Sequence, residues 1–365
     1  MSSDLVIAIA IAAALAFGFS NGFHDTYDVI ATAVSTGVAP PQVAVGVAAA
    51  LNFAGAFISV EVARTIATEV VEAGLITPAV VLAGLFGAIA WNLVTWWRGL
   101  PSSSSHALIG GVVGATVAAA GTAGVIGGGL LDQVLVPALV APFLAFLLAA
   151  ALIVLAYRIF GHRRPGAVSR GFRFAQVGSC GLLALAHGAN DIQKATGVIV
   201  LALVAAGNLG ADADPPLWAT LSAAAALAVG TYGGGRTMLR NAGRRSIKVD
   251  AAQAFSAQGA GAATILAATF MGFPISTTHA INGGVIGAGA TQRISPARWG
   301  IAGNIVAGWL LTLPAAAALG AAAYGAMRLF GTSVAGPLLV SVAALALLVV
   351  FFAARGRRGA PLPAA

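Results

Sequence analysis

The chain has 365 residues, of which 59% are hydrophobic and 8% charged, with a mean hydropathy of +0.93. A water-soluble domain carries roughly a quarter charged residues, so this composition excludes a water-facing surface and gives a polytopic integral membrane protein. The net charge of +8 is no nucleic-acid footprint, because 13 of the 19 Lys and Arg fall in three short stretches between apolar runs: Arg158 to Arg173, Arg236 to Lys248 and Arg355 to Arg358. That is the positive-inside pattern.

In chain order the predicted apolar segments are 5–36, 42–60, 78–97, 105–128, 134–157, 175–207, 217–235, 253–272, 275–290, 298–326 and 335–354. A helix of about 20 residues spans the hydrocarbon layer. The first and sixth segments are too long for one straight span, which predicts helices broken or strongly tilted at the polar motifs they contain. Segments 105–128 and 275–290 are Gly-rich and follow polar residues, so each is either a crossing or a re-entrant hairpin. The fold class expected is all-α and polytopic, with about 10–12 transmembrane segments. Before the first run there is only Asp4 and no Lys or Arg. No secretory signal with a basic n-region is therefore expected. With the N-terminus outside, counting crossings places the three basic stretches and the C-terminus in the cytoplasm. The glutamates Glu61, Glu69 and Glu72 are expected near a membrane surface, and Trp91, Trp96 and Trp97 in an interfacial belt. Cys180 is the single cysteine, so no disulfide framework exists.

An internal repeat organises the chain. PSSSSHALIGGVVGA (Pro101 to Ala115) aligns without a gap on PISTTHAINGGVIGA (Pro274 to Ala288), with nine identities in fifteen. Upstream, NGFHD (Asn21 to Asp25) aligns on HGAND (His187 to Asp191). The expected organisation is a first repeat over 1–160, a basic cytoplasmic loop at 161–174, a second repeat over 175–330, and a C-terminal helix with a basic tail at 331–365. Five segments precede the first basic stretch, so the second copy enters from the opposite side. Inverted-topology repeats of this kind place substrate and ion sites at their interface near the bilayer midplane.

The motifs hold the ionisable groups of the apolar segments, and such groups usually line a cavity or pathway. They are His24, Asp25 and Asp28 in the first copy and His187, Asp191 and Lys194 in the second. Asp25 and Asp191, each in an expected Gly-containing break, are first choices for coupling a cation or proton. A structural alternative is a buried ion pair of Asp28 with Lys194 that locks the halves together. The runs Ser102 to Ser105 and Ser276 to Thr278 precede Gly-rich helices. Hydroxyls and free backbone N–H groups at a helix N-terminus suit an oxyanion, with ordinary N-capping as the alternative. No nucleophile and base of recognisable spacing occurs, so an enzyme is not expected. A channel would not need the carboxylate pair.

NGFHDTYDVIATAVSTGVAP, WNLVTWWRGLPSSSSHALIGG, AHGANDIQKATGVI and GFPISTTHAINGGVIGAGATQRISPARWGIAGN resemble the signature regions of the PiT family of inorganic phosphate transporters, in its bacterial low-affinity branch. The resemblance runs from about residue 15 to residue 320. It implies a secondary active transporter of a bacterial plasma membrane that imports inorganic phosphate, free or as a metal–phosphate complex, by cation symport with alternating access. The coupling ion implied is H+ or Na+, with no resident cofactor or metal. Sulfate permease and sodium-coupled phosphate symporter are the alternatives. Partners implied are inorganic phosphate, the coupling cation and the lipid bilayer; a homodimer stays open, and nucleic acid is not a partner. The substrate-binding positions expected are Ser103, Ser104, Ser105, Ser276, Thr277, Thr278, Asn21 and Asn190. The ion-coupling positions expected are Asp25, Asp28, Asp191, His24, Gln193 and Lys194. The chain departs from the family at Tyr27 and Asp28, where a small residue and Asn are usual. Arg64 before Thr65, where sodium-coupled members often carry Glu, leans away from sodium.

Overall fold

A computed structural model describes residues 2–98, 102–241, 249–290 and 296–357. Pro101 and most of the second basic stretch, 242–248, lie outside the described residues. Among the described residues the protein is all-helical, apart from an isolated antiparallel bridge between Val71 and Val125. The first half runs α1 (Ser2–Ser35), α2 (Pro41–Gly55), α3 (Glu61–Thr68), α4 (Pro78–Arg98) and α5 (Ser104–Ala120). A short turn, α6 (Gly127–Gly129), leads through a π-helical stretch, Leu130–Leu135, into α7 (Val136–Phe160). The second half runs α8 (Pro165–Ala205), α9 (Leu217–Asn241), α10 (Ala251–Phe270), α11 (Thr277–Ala290) and α12 (Pro296–Leu329), followed by α13 (Ala335–Arg357).

Among the described residues four helical stretches suffice, by length and apolar composition, to cross a membrane, at Asp4–Ser35, Pro78–Arg98, Gly127–Phe160 and Leu310–Leu329. On α7 the residues Leu139, Phe143 and Leu147 recur every four positions and are 65%, 72% and 60% exposed. A greasy stripe of that kind faces lipid, not water.

The expected breaks in the two longest segments do not occur. α1 and α8 pass through NGFHD and HGAND as continuous helices of 34 and 41 residues. The glycines of these motifs serve close packing instead. A Cβ on Gly22 would lie 2.2 Å from Leu227 O of α9, and one on Gly188 would lie 2.1 Å from Asn52 O of α2. Residues 165–174, expected as loop, form the first turns of α8, with Pro165 at a first-turn position where its missing N–H costs nothing. The discontinuity falls elsewhere, between α2 and α3 at residues 56–60.

α5 and α11 take the re-entrant alternative. At 17 and 14 residues they are about 26 and 21 Å long at ~1.5 Å per residue, short of the ~30 Å hydrocarbon layer. Each packs against the helix before it, α5 on α4 and α11 on α10. The two hairpins meet at their tips, where Ser105 Oγ donates to Ile275 O at 2.9 Å and the rings of His106 and His279 lie 5.2 Å apart.

The shared Gly pattern explains how each short arm is held. A Cβ on Gly110 or Gly114 would come within 2.4 and 2.0 Å of Leu313 O and Ala317 O on α12. The matching Gly283 and Gly287 stand 2.3 and 2.2 Å, by the same measure, from Pro142 O and Phe146 O on α7. Each hairpin arm thus docks backbone-to-backbone on a helix of the other half, as small residues permit in lipid.

Candidate functional site

The site is built where α1 and α8 pack together at the height of the two motifs. A spacing of four residues puts Asn21 and Asp25 one turn apart on α1, and His187 and Asp191 one turn apart on α8. The contacts cross between the halves. Asn21 Nδ2 donates to Asp191 Oδ2 at 2.8 Å, while His187 Nε2 lies 3.6 Å from Asp25 Oδ2 and 3.2 Å from Asp191 Oδ2. Ligand-type atoms of Asp25, His187 and Asp191 lie within 4.8 Å of one another, and all three residues are buried.

Hydrogen bonding behind His187 fixes which ring nitrogen faces the carboxylates. Thr231 Oγ1 donates to Leu227 O at 3.0 Å and so accepts from Asn52 Nδ2, also at 3.0 Å. That leaves Asn52 Oδ1 as the acceptor for His187 Nδ1–H, 3.1 Å away. Nε2 therefore points at two carboxylates. The arrangement is cohesive only with a proton on Nε2 or a cation between it and the oxygens. Asp25 Oδ2 has no hydrogen-bond partner among the described residues, which leaves that oxygen to be satisfied from outside the fold.

Lys194 is fully buried, and its Nζ donates to Asp191 Oδ1 at 2.5 Å and to Ile275 O at 2.7 Å. The alternative pairing with Asp28 is not the one formed: the ammonium is taken by the carboxylate one turn back on its own helix, and Asp28 sits half-buried on α1. Because Ser105 of the first hairpin also donates to Ile275 O, this carbonyl joins Lys194 to both tips.

The Ser/Thr runs converge on the same place with divided roles. Ser103 and Ser276 cap their helices, accepting from His106 N at 3.2 Å and His279 N at 3.3 Å. Thr277 Oγ1 donates to Asp191 Oδ2 at 3.3 Å. Thr278 is buried and Ser104 half-buried beside them. Two helix N-termini with their hydroxyls thus meet next to the carboxylate cluster, an environment that attracts an oxyanion.

Three expected site residues have other local partners. His24 stacks on Trp96 with ring centroids 6.0 Å apart, and Trp96 is buried there instead of standing in an interfacial belt. Gln193 braces the α2–α3 discontinuity, its Oε1 accepting from Ala63 N at 3.2 Å and its Nε2 donating to Ser59 O. Asn190 pins the second hairpin to α8 through Thr269 Oγ1 at 3.0 Å and Phe273 O at 3.1 Å. Arg64, outside the cluster, is half-exposed and pairs with Glu61 at 2.8 Å and with Asp214. His187, absent from the expected ion-coupling set, sits at its centre. The repeat register carried the signal, since it sets His187 against Asn21, which the same reading had selected.

Residues 21–320 match the family model described as the phosphate transporter family. Among similar proteins, the "Probable low-affinity inorganic phosphate transporter" of Mycobacterium bovis is 46% identical over 327 residues, 89% of this chain and 78% of that one. The protein of the same description from Bacillus subtilis is 40% identical over 322 residues, 88% of this chain and 96% of the other. A putative phosphate permease of Pyrococcus abyssi is 26% identical across 91% of this chain and all of its own length. A solved structure titled "The sodium-dependent phosphate transporter" shares the fold, with a TM-score of 0.80 at 24% identity over 89% of this chain and 99% of its own.

Proposed function

The chain belongs to the phosphate transporter family, and from that footing we propose that it is a multi-pass membrane transporter carrying inorganic phosphate by symport with a cation. The observation that carries this reading is the meeting of two hairpin tips, one from each half, beside a buried carboxylate pair. A tetrahedral oxyanion would be held by the N-termini of α5 and α11 and by hydroxyls of Ser103, Ser104, Ser276 and Thr278, with those of Ser105 and Thr277 joining only by turning away from Ile275 O and Asp191 Oδ2. Asn21 and Asn190 would act behind them, Asn21 by orienting Asp191 and Asn190 by fixing the hairpin.

Two carboxylates in a low-dielectric site repel an approaching anion. A proton or cation at Asp25 and His187 Nε2 removes that repulsion, so anion binding and cation binding favour each other, which is the energetic content of symport. Movement of the two hairpins relative to α1 and α8 would open the site to each side in turn. Protons are the favoured coupling ion, because the cluster contains an imidazole whose free nitrogen faces both carboxylates. Each hairpin returns to the side it entered from and so changes the crossing count by an even number. The basic stretches accordingly keep the cytoplasmic sidedness that their charge favours.

Uptake of labelled phosphate into proteoliposomes, with proton and sodium gradients imposed separately, tests the reading. Phosphate should accumulate under an inward proton gradient without sodium, with excess sulfate competing weakly. Sulfate uptake that phosphate does not inhibit would overturn it.

A further inference from the structure

The two carboxylates occupy matching positions in the repeat, yet their surroundings differ in charge. Three residues after Asp191 stands Lys194, whereas three residues after Asp25 stands Asp28. The ammonium of Lys194 is within 2.5 Å of Asp191 Oδ1 and is anchored from the other side by Ile275 O at 2.7 Å. Asn21 and Thr277 donate to the remaining oxygen of Asp191. Among the described residues no Lys or Arg side chain reaches Asp25, whose only ionisable partner in ion-pair range is His187. Asp191 is thus saturated by protein donors and its charge balanced inside the protein, while Asp25 keeps a buried oxygen without a hydrogen bond.

We propose that Lys194 is a resident cation: it holds the place that a mobile coupling ion would take at Asp191, so that only the Asp25–His187 end exchanges a cation with solution, and each transport cycle moves one fewer positive charge than the doubled motif suggests. This rests on the reading of the chain as a cation-coupled phosphate carrier. The physical reason is that a mobile cation would have to displace an ammonium already desolvated and bonded at close range. Displacement would leave that ammonium buried and unpaired, a strongly unfavourable state. The contact with Ile275 O gives the resident charge a second task, to position the tip of the second hairpin, and through Ser105 the tip of the first.

The test is the cation-to-phosphate ratio, read from the membrane potential at which labelled phosphate flux reverses in proteoliposomes, under proton and then sodium gradients. Lys194→Met should raise the ratio by one positive charge per phosphate, because Asp191 then recruits a mobile cation. The double variant Asp191→Asn with Lys194→Met removes a neutral pair, and should transport more slowly at the native ratio. A folded, transporting Lys194→Met protein with the native ratio would overturn the proposal. So would a double variant whose ratio falls by one or whose folded protein moves no phosphate. Should Lys194→Met fail to yield folded protein by gel filtration, the double variant decides alone. A wild-type protein that moves no phosphate removes the functional reading, and this inference with it.

Discussion

Changing Asp191 to Asn should destabilise the protein, whereas the same change at Asp25 should not. Asp191 Oδ1 accepts from Lys194 at 2.5 Å, and Oδ2 accepts from Asn21 at 2.8 Å and from Thr277 at 3.3 Å. An amide in its place keeps one acceptor and presents an NH2 to donors. The Lys194 ammonium, fully buried, then loses its counter-charge and is left with neutral acceptors alone. Breaking one partner out of a buried ion pair costs about 3–5 kcal/mol. At Asp25 the local balance has the opposite sign: Oδ2 makes no hydrogen bond, and the nearest carboxylate is a like charge. Neutralising Asp25 relieves that repulsion and should leave stability unchanged or slightly raised. Thermal unfolding of purified protein in detergent, followed by intrinsic fluorescence, gives the comparison directly. Adding Lys194→Met to Asp191→Asn should restore most of the lost stability, since exchanging a buried pair for neutral groups is often neutral or favourable by about 1–4 kcal/mol. Equal melting temperatures for the two single variants, or no recovery in the double, would refute the assignment of Lys194 to Asp191.

Both single variants should still lose coupled phosphate uptake in proteoliposomes, so function falls together while stability separates. Gly110→Ala and Gly283→Ala each push a Cβ to within 2.4 and 2.3 Å of a backbone oxygen on the opposing half. Each should cost about 1–3 kcal/mol by overpacking, while Gly74→Ala, with open space around it, should melt as wild type. Asn52→Ala removes the acceptor that orients His187, and coupled uptake should fall about tenfold for each ~1.4 kcal/mol of lost orientation, with phosphate exchange at equilibrium less affected. Uptake should rise as the outside is acidified, and Asp28→Asn should retain both transport and that pH profile, because the exchanging proton is placed at Asp25 and His187. A flattened profile in that variant would move the proton to Asp28.

Properties that depend on a residue and its near neighbours in sequence were legible without coordinates. Apolar runs, charge clusters and the paired motifs around Asp25, Asp191, Ser105 and Thr277 gave a membrane-spanning helical protein with two related halves and named most of the residues that converge. The positions of the short hairpins were legible as one of two alternatives, because Gly-rich segments after a polar turn suit either a crossing or a re-entrant arm. Tertiary structure decided between them through contacts that no local pattern encodes. Gly22 and Gly188 would permit a helix break or a close crossing, and only the backbone oxygens of Leu227 and Asn52, about 2 Å from where a Cβ would stand, make them crossing points in unbroken helices. His24 and His187 are equally ionisable in sequence. One meets Trp96 and the other, already one turn from Asp191 on its own helix, meets Asp25 as well, because the helices that bring Trp96 and Asp25 lie far along the chain. Lys194 could balance Asp28 or Asp191 by charge alone. Its choice of Asp191 follows from the turn of one helix and from a carbonyl on the tip of the second hairpin, an arrangement that exists only once both halves have packed.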